Sequence, residues 1–204
     1  PELSRFNVEL NGTPQPLQGR ALSRLESELT ATWQQCLRVA RDEESALIAI
    51  GTLPTVRETD LSLASMSPSK RYAMLNEQIL VLRGGRPLTL DISGIDSLCT
   101  THADVMLEAA TTSFQVHLQT PAGEAARTYN ASLLLAAPLV ALAANSPFLF
   151  ERALWHETRI PLFEQAVDCC DPEHPEHLRV TFGSGYLDAD PTACVAENLS
   201  SYTV

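Results

Sequence analysis

The stretch Thr111-Thr112-Ser113-Phe114-Gln115-Val116-His117-Leu118-Gln119 alternates without a break, Thr112, Phe114, Val116 and Leu118 falling on one side and Ser113, Gln115, His117 and Gln119 on the other. A period of two is the signature of a strand with one buried and one wetted face. Ser, Gln and His in register are an unusual choice for a solvent face. Alternate residues on a strand stand about 6–7 Å apart, so this polar row is able to line a single groove.

Outward from it, Arg5-Phe6-Asn7-Val8-Glu9-Leu10 alternates in the same way and stops at Asn11-Gly12-Thr13-Pro14, which predicts a strand and a turn. Leu88-Thr89-Leu90-Asp91-Ile92 is a third alternating run, and Arg179–Gly183 a short fourth. Ala46–Gly51 reads as a short buried strand. Between these lie helical patterns. Leu22, Leu25, Leu29, Trp33, Cys36, Leu37 and Ala40 recur at steps of three and four within Gly19–Arg41. Ser67-Pro68 opens a second helix that carries Tyr72, Leu75, Ile79 and Leu82 inward and ends at Gly84-Gly85. Pro121 opens a third, apolar on nearly every side over Ala131–Ala144, which predicts burial. Glu151–Val167 is helical in pattern but interrupted by Pro161. Thr55–Pro68 reads as a long surface loop, and His174 with Pro172 and Pro175 marks another. Strands with one polar face, separated by long helices, give an α+β fold with a mainly antiparallel sheet and helices packed on one face. No Gly-rich phosphate loop of either common type is present.

The chain of 204 residues is long enough for one large domain or two small ones, and we read residues 1–204 as a single domain. Hydrophobic residues make up 45% against 19% charged, which excludes an intrinsically disordered composition. The net charge of −11, with no basic run, argues against nucleic acid as a partner. Five cysteines in no metal-binding spacing read as free thiols of a reducing cytoplasm. No charged-then-apolar leader begins the chain. The most apolar stretch contains Pro138 and counts as too short to span a bilayer. These readings give a cytoplasmic protein without a membrane partner and allow a homo-oligomer.

Glu9 shares its strand face with Asn7 and Asn11. It reads either as a solvated charge or as a hard carboxylate ligand for Mg²⁺. His117 is a candidate metal ligand or phosphate donor, or a hydrogen-bonded surface group. Arg71 and Arg159 offer planar forks for a carboxylate or phosphate. Arg159 stands in Glu157-Thr158-Arg159-Ile160-Pro161, where polar groups lie beside Trp155 and Phe163.

Four blocks in order resemble one family. They are Phe6–Pro14; Ile50-Gly51-Thr52-Leu53-Pro54 with Ser69-Lys70-Arg71-Tyr72; Thr111–Leu118; and Asn145-Ser146-Pro147-Phe148 followed by Glu157-Thr158-Arg159. The resemblance is to glutamate–cysteine ligases of the plant type and their bacterial carboxylate–amine ligase relatives. It implies a glutamine-synthetase-like fold, a curved sheet forming a funnel with helices outside. It also implies formation of γ-glutamylcysteine, the opening step of glutathione biosynthesis, from glutamate, cysteine and ATP with Mg²⁺. In that reading Glu9 and His117 are metal ligands, and plant relatives carry Asn at the His position. Ser113 and Gln115 line the substrate groove, and Arg71 and Arg159 hold glutamate or phosphate as catalytic and substrate-binding residues. The family carries a Glu-x-Glu pair on an earlier strand and further catalytic strands later. The resemblance therefore implies the central part of a catalytic domain, inactive alone or completed by something else. A regulatory module of the same fold and a ligase using another amine are the alternatives.

Overall fold

The computed structural model describes residues 2–169, 183–188, 190 and 192–200. Its best-buried layer begins at β1 (Leu88–Ser93), where Leu88, Leu90 and Ile92 point inward and the residues between them outward, as their alternation predicts. β1 turns back on β2 (Ser97–His102) in an antiparallel hairpin that pairs Leu90 with Thr100 and Ile92 with Leu98. The turn is tight because Gly94 lies against the Leu154 backbone: a Cβ there would sit 2.6 Å from the Leu154 carbonyl carbon.

Helix α4 (Arg159–Ala166) packs across β1 and across the 3₁₀ segment Met106–Ala110. Leu90, Ile92, Met106, Leu107, Leu149 and Leu162 are sealed from solvent at this junction. Pro161 interrupts nothing, since it occupies the third position of α4, where a backbone N–H has no intrahelical acceptor. Gln165 on α4 serves β1 as a surrogate strand. The Asp91 N–H donates to its Oε1 at 2.7 Å, and its Nε2 donates to the Asp91 carbonyl at 3.0 Å. The far end of α4 is closed by Arg83, whose buried guanidinium donates to the carbonyls of Ala166 and Asp168, both at 2.7 Å.

Helix α2 (Lys70–Leu82) follows Pro68, which lies one residue before the cap Ser69 rather than inside the first turn. It buries Tyr72 and Ile79 as predicted, whereas Leu82 is exposed. The loop before it is less superficial than its polarity suggests. Two 3₁₀ turns (Glu58–Asp60 and Leu63–Ser65) drive Val56, Leu61 and Met66 into the core. β3 (Phe148–Leu149) and β4 (Arg152–Ala153) form a second antiparallel hairpin. Phe150 and Glu151 between them both have positive φ, 47° and 63°, the conformation a two-residue hairpin turn demands.

Four expectations are corrected. First, Arg5–Leu10 forms no strand: pairing is confined to a bridge between Ser4 and Met66, with the Ser67 N–H donating to Leu3 and the Arg5 N–H to Ser65, both at 2.9 Å. Second, Ala46–Gly51 is irregular and Ile48 exposed; of this region only Gly51 and its neighbour Thr52 go inside. Third, Thr111–Gln119 is not a strand either, and Phe114, Val116 and Leu118 stand in solvent. A ladder needs a neighbour, and no described segment offers one. Among the described residues, the expected curved sheet is thus two separate two-stranded hairpins in an α+β frame.

The fourth correction concerns the apolar helix α3 (Ala125–Ala143). Leu134, Leu135, Leu139 and Leu142 are all exposed, so its uniform apolarity does not mean burial. Counted from Ala122, the continuous helical unit has 22 residues and contains an 18-residue window of mean hydropathy 1.2, long and apolar enough by length and composition to cross a membrane. Helix α1 (Ala21–Asp42) matches its predicted span, with Gly12 and Thr13 against Leu25 and Glu28. A last helix, α5 (Ala193–Ser200), has no counterpart in the sequence reading. The loop read at Pro172–Pro175 and all but the last residue of the strand read at Arg179–Gly183 lie outside the described residues.

Candidate functional site

Two centres emerge, and both draw on the sequence blocks singled out above. The first is a polar node. Glu157 is buried and receives the Ser146 hydroxyl at 2.7 Å, the Asn145 N–H at 3.3 Å and the Arg159 Nε. Arg159 also donates through Nη1 to the Thr112 carbonyl, and its own N–H donates to Ser146 Oγ at 3.3 Å. The Thr112 N–H donates to the Gly51 carbonyl at 2.8 Å, and the Gly51 N–H to the Asn145 carbonyl at 3.4 Å. Thr52, fully buried, donates to Phe148 at 2.8 Å.

Gly51 is required here by close approach. A Cβ would lie 2.6 Å from Asn145 Oδ1, 2.7 Å from Arg159 Nε and 2.9 Å from Ser146 Cβ. Burial works against the charged form of Glu157. The hydrogen bonds from Arg159 and Ser146 outweigh it, and the carboxyl is held below its ordinary range. The node thus brings together residues 50–52, 112, 145–146 and 157–159.

The second centre is a cleft of about 500 Å³ between the N-terminal segment and α2, lined by Glu2, Leu3, Arg71, Tyr72, Leu75 and Glu108 among others. The Arg71 guanidinium lies 4.7 Å from the centroid of the Tyr72 ring and donates to the Tyr72 hydroxyl at 2.6 Å. That seat holds one side of the fork, and the residue stays exposed. The Glu2 carboxyl is pushed above its ordinary value by burial and by sharing a hydrogen bond and charge with Glu9, with Arg71 pulling the other way. Asn7, two residues before Glu9, donates to the Ala109 carbonyl at 2.8 Å. From Ala109 to Thr112 is three residues, at most roughly 10 Å of chain, so the cleft and the node are neighbours.

The residues singled out in the sequence divide accordingly. Arg71 lines the cleft, Glu9 acts on it only through Glu2, and Arg159 sits in the node with its charge committed to Glu157. Ser113, Gln115 and His117 lie on the exposed segment that leaves the node, where His117 Nε2 is 3.3 Å from Gln115 Oε1. No hydrogen bond or ion pair joins His117 to Glu9, and no group of three metal-ligating side chains gathers among the described residues. The sequence analysis gives neither Glu2 nor Glu157 a role of its own. Glu2 precedes the alternating run that drew attention to Glu9, whereas Glu157 was visible as a carboxylate two residues from an arginine.

Neither the curated proteins nor the solved structures return a match. A family model does match, over residues 1–183, and it covers all four blocks. On that match the chain belongs to Glutamate-cysteine ligase family 2 (GCS2).

Proposed function

We propose that this chain carries part of the active site of an ATP-dependent glutamate–cysteine ligase. The γ-phosphoryl group of ATP passes to a γ-carboxylate oxygen of glutamate and ADP leaves. The amino nitrogen of cysteine then attacks the acyl carbon, phosphate departs with the C–O bond electrons, and the nitrogen sheds a proton. Both steps concentrate negative charge on phosphate oxygens, and fixed cationic groups are the stabilisers such steps need. Mg²⁺, when bound with ATP, would supply further neutralisation of that charge.

The observation that carries the reading is the convergence of the family blocks. Residues separated by up to about a hundred positions in the chain build one hydrogen-bonded node next to a cleft with an available arginine. In this reading Arg71 engages an anionic substrate group directly. Arg159 positions the start of the segment that carries Ser113, Gln115 and His117.

A coupled ADP-release assay with glutamate, cysteine and Mg-ATP tests the proposal. Amine-dependent release accompanied by a γ-glutamyl product is expected once the chain is joined to the rest of a catalytic domain, and its absence there overturns the ligase reading. Turnover by the 204-residue chain alone, close to that of an intact family member, would instead overturn the view of it as incomplete.

A second reading is a non-catalytic module of the same family, in which Arg159 serves the fold through its ion pair with Glu157. That reading expects neither Mg-ADP nor glutamate to raise the melting temperature.

A further inference from the structure

The segment that leaves the node at Thr112 has the pattern of a strand and none of its bonds. The Thr112 N–H donates to Gly51, and the Thr112 carbonyl accepts from Arg159. Beyond it, no hydrogen bond among the described residues reaches a backbone group of residues 113–120. No φ in this span is positive. Gln115 and His117 meet on one side at 3.3 Å, as alternate residues of an extended backbone do. On the other side Phe114, Val116 and Leu118 are 79%, 71% and 59% exposed. An open run of donors and acceptors beside an apolar row is a template for a second strand.

The kind of strand follows from charge and register. The chain carries a net charge of −11, so two copies repel over most of their surfaces. Between Glu108 and Glu124 there is no Asp, Glu, Lys or Arg, and here two copies approach without opposing charges. The row also complements itself. An antiparallel pair of identical strands keeps its apolar and polar faces apart only when one residue faces its own copy. With Val116 in that place, the whole span from 113 to 119 is used: Phe114 faces Leu118, Gln115 faces His117, and Ser113 faces Gln119. Aromatic–aliphatic and hydrogen-bonding pairs of this kind stabilise antiparallel strands. Centring on His117 would instead set Phe114 against Thr120 and one imidazole against another.

We propose that two copies of this chain join through residues 113–119 as an antiparallel strand pair with Val116 on the two-fold axis. The contact is isologous, the same residues serving both copies. It supplies the neighbour that the alternation of Thr111–Gln119 calls for, and it stands whether or not the ligase reading does.

Cysteine crosslinking of the full chain under mild oxidation tests the pairing, with the unmodified chain and its own cysteines as background. Val116→Cys should form an intermolecular disulfide, because opposed Cα atoms in an antiparallel pair are about 4.5–5.5 Å apart, inside the disulfide range. Phe114→Cys and Leu118→Cys should each stay at background alone, since each faces the other position, and should crosslink when mixed. The disulfide reads this segment alone, whatever α3 adds to association. Val116→Lys should weaken the dimer seen by sedimentation velocity at least about tenfold, by setting two like charges face to face. Its melting temperature, measured where the chain is monomeric, should not change, since Val116 is exposed.

A chain that sediments as a monomer, with no excess crosslink at Val116→Cys, overturns the proposal. So does crosslinking of Phe114→Cys or Leu118→Cys alone at the level of Val116→Cys, which marks parallel pairing or random encounter. A dimer unmoved by Val116→Lys places the association on another surface and overturns it as well.

Discussion

Glu157 accepts hydrogen bonds from Ser146, Asn145 and Arg159, and its depressed carboxyl pKa has a measurable consequence. A carboxylate whose folded pKa lies below the unfolded value, about 4.3 for Glu, stabilises the fold above that value. The contribution is lost as pH falls through the folded pKa. Melting temperature should therefore drop as pH is lowered below about 4.3, and Glu157→Gln should flatten that limb. The same variant should lose about 1.5–3 kcal/mol at neutral pH, the worth of hydrogen bonds to a charged group. Gly51→Ala should cost about 1–3 kcal/mol by forcing the node apart, measurable as a lower denaturant midpoint with an unchanged slope. Of this node, Arg159 was legible in the sequence as a cation in a half-apolar segment. The need for glycine at 51 was not, because close approach depends on segments about a hundred residues away.

At the level of elements, legibility followed whether a pattern's partner lay close in sequence. β1 is read correctly from Leu88, Leu90 and Ile92, since the hairpin that completes it follows at once. Thr111–Gln119 has a cleaner alternation and forms no strand, because alternation records a preference and pairing requires a neighbour. The β3–β4 turn supplies a prediction of its own. Glu151 holds φ at 63° without being glycine, a conformation disfavoured for side chains with a Cβ. Glu151→Gly should raise stability by about 0.5–1 kcal/mol, read as an increase in melting temperature. Phe150 is the wrong residue for the same experiment, since its ring stacks 6.2 Å from that of His102.

For the whole molecule, the exposed leucines of α3 matter most. Uniform apolarity predicted burial, yet what buries a helix is whatever lies against it, and the helix's own sequence does not contain that information. Leu134→Lys with Leu142→Lys should shift stability by no more than about 0.5 kcal/mol per site, as for surface positions. It should also lower self-association seen by sedimentation velocity, because large exposed apolar patches drive association. A marked loss of stability would mean that these side chains are packed in the folded protein.

The link between Thr52 and Phe148 spans 96 residues, and that separation sets a clock. During synthesis at about 5–20 residues per second, Thr52 emerges roughly 5 to 20 seconds before its partner exists. For that interval the Thr52 hydroxyl lacks its acceptor, and closing so long a loop is slow even afterwards. The segment that gathers the node is thus also a stretch through which a nascent chain stays open to chaperones and proteases.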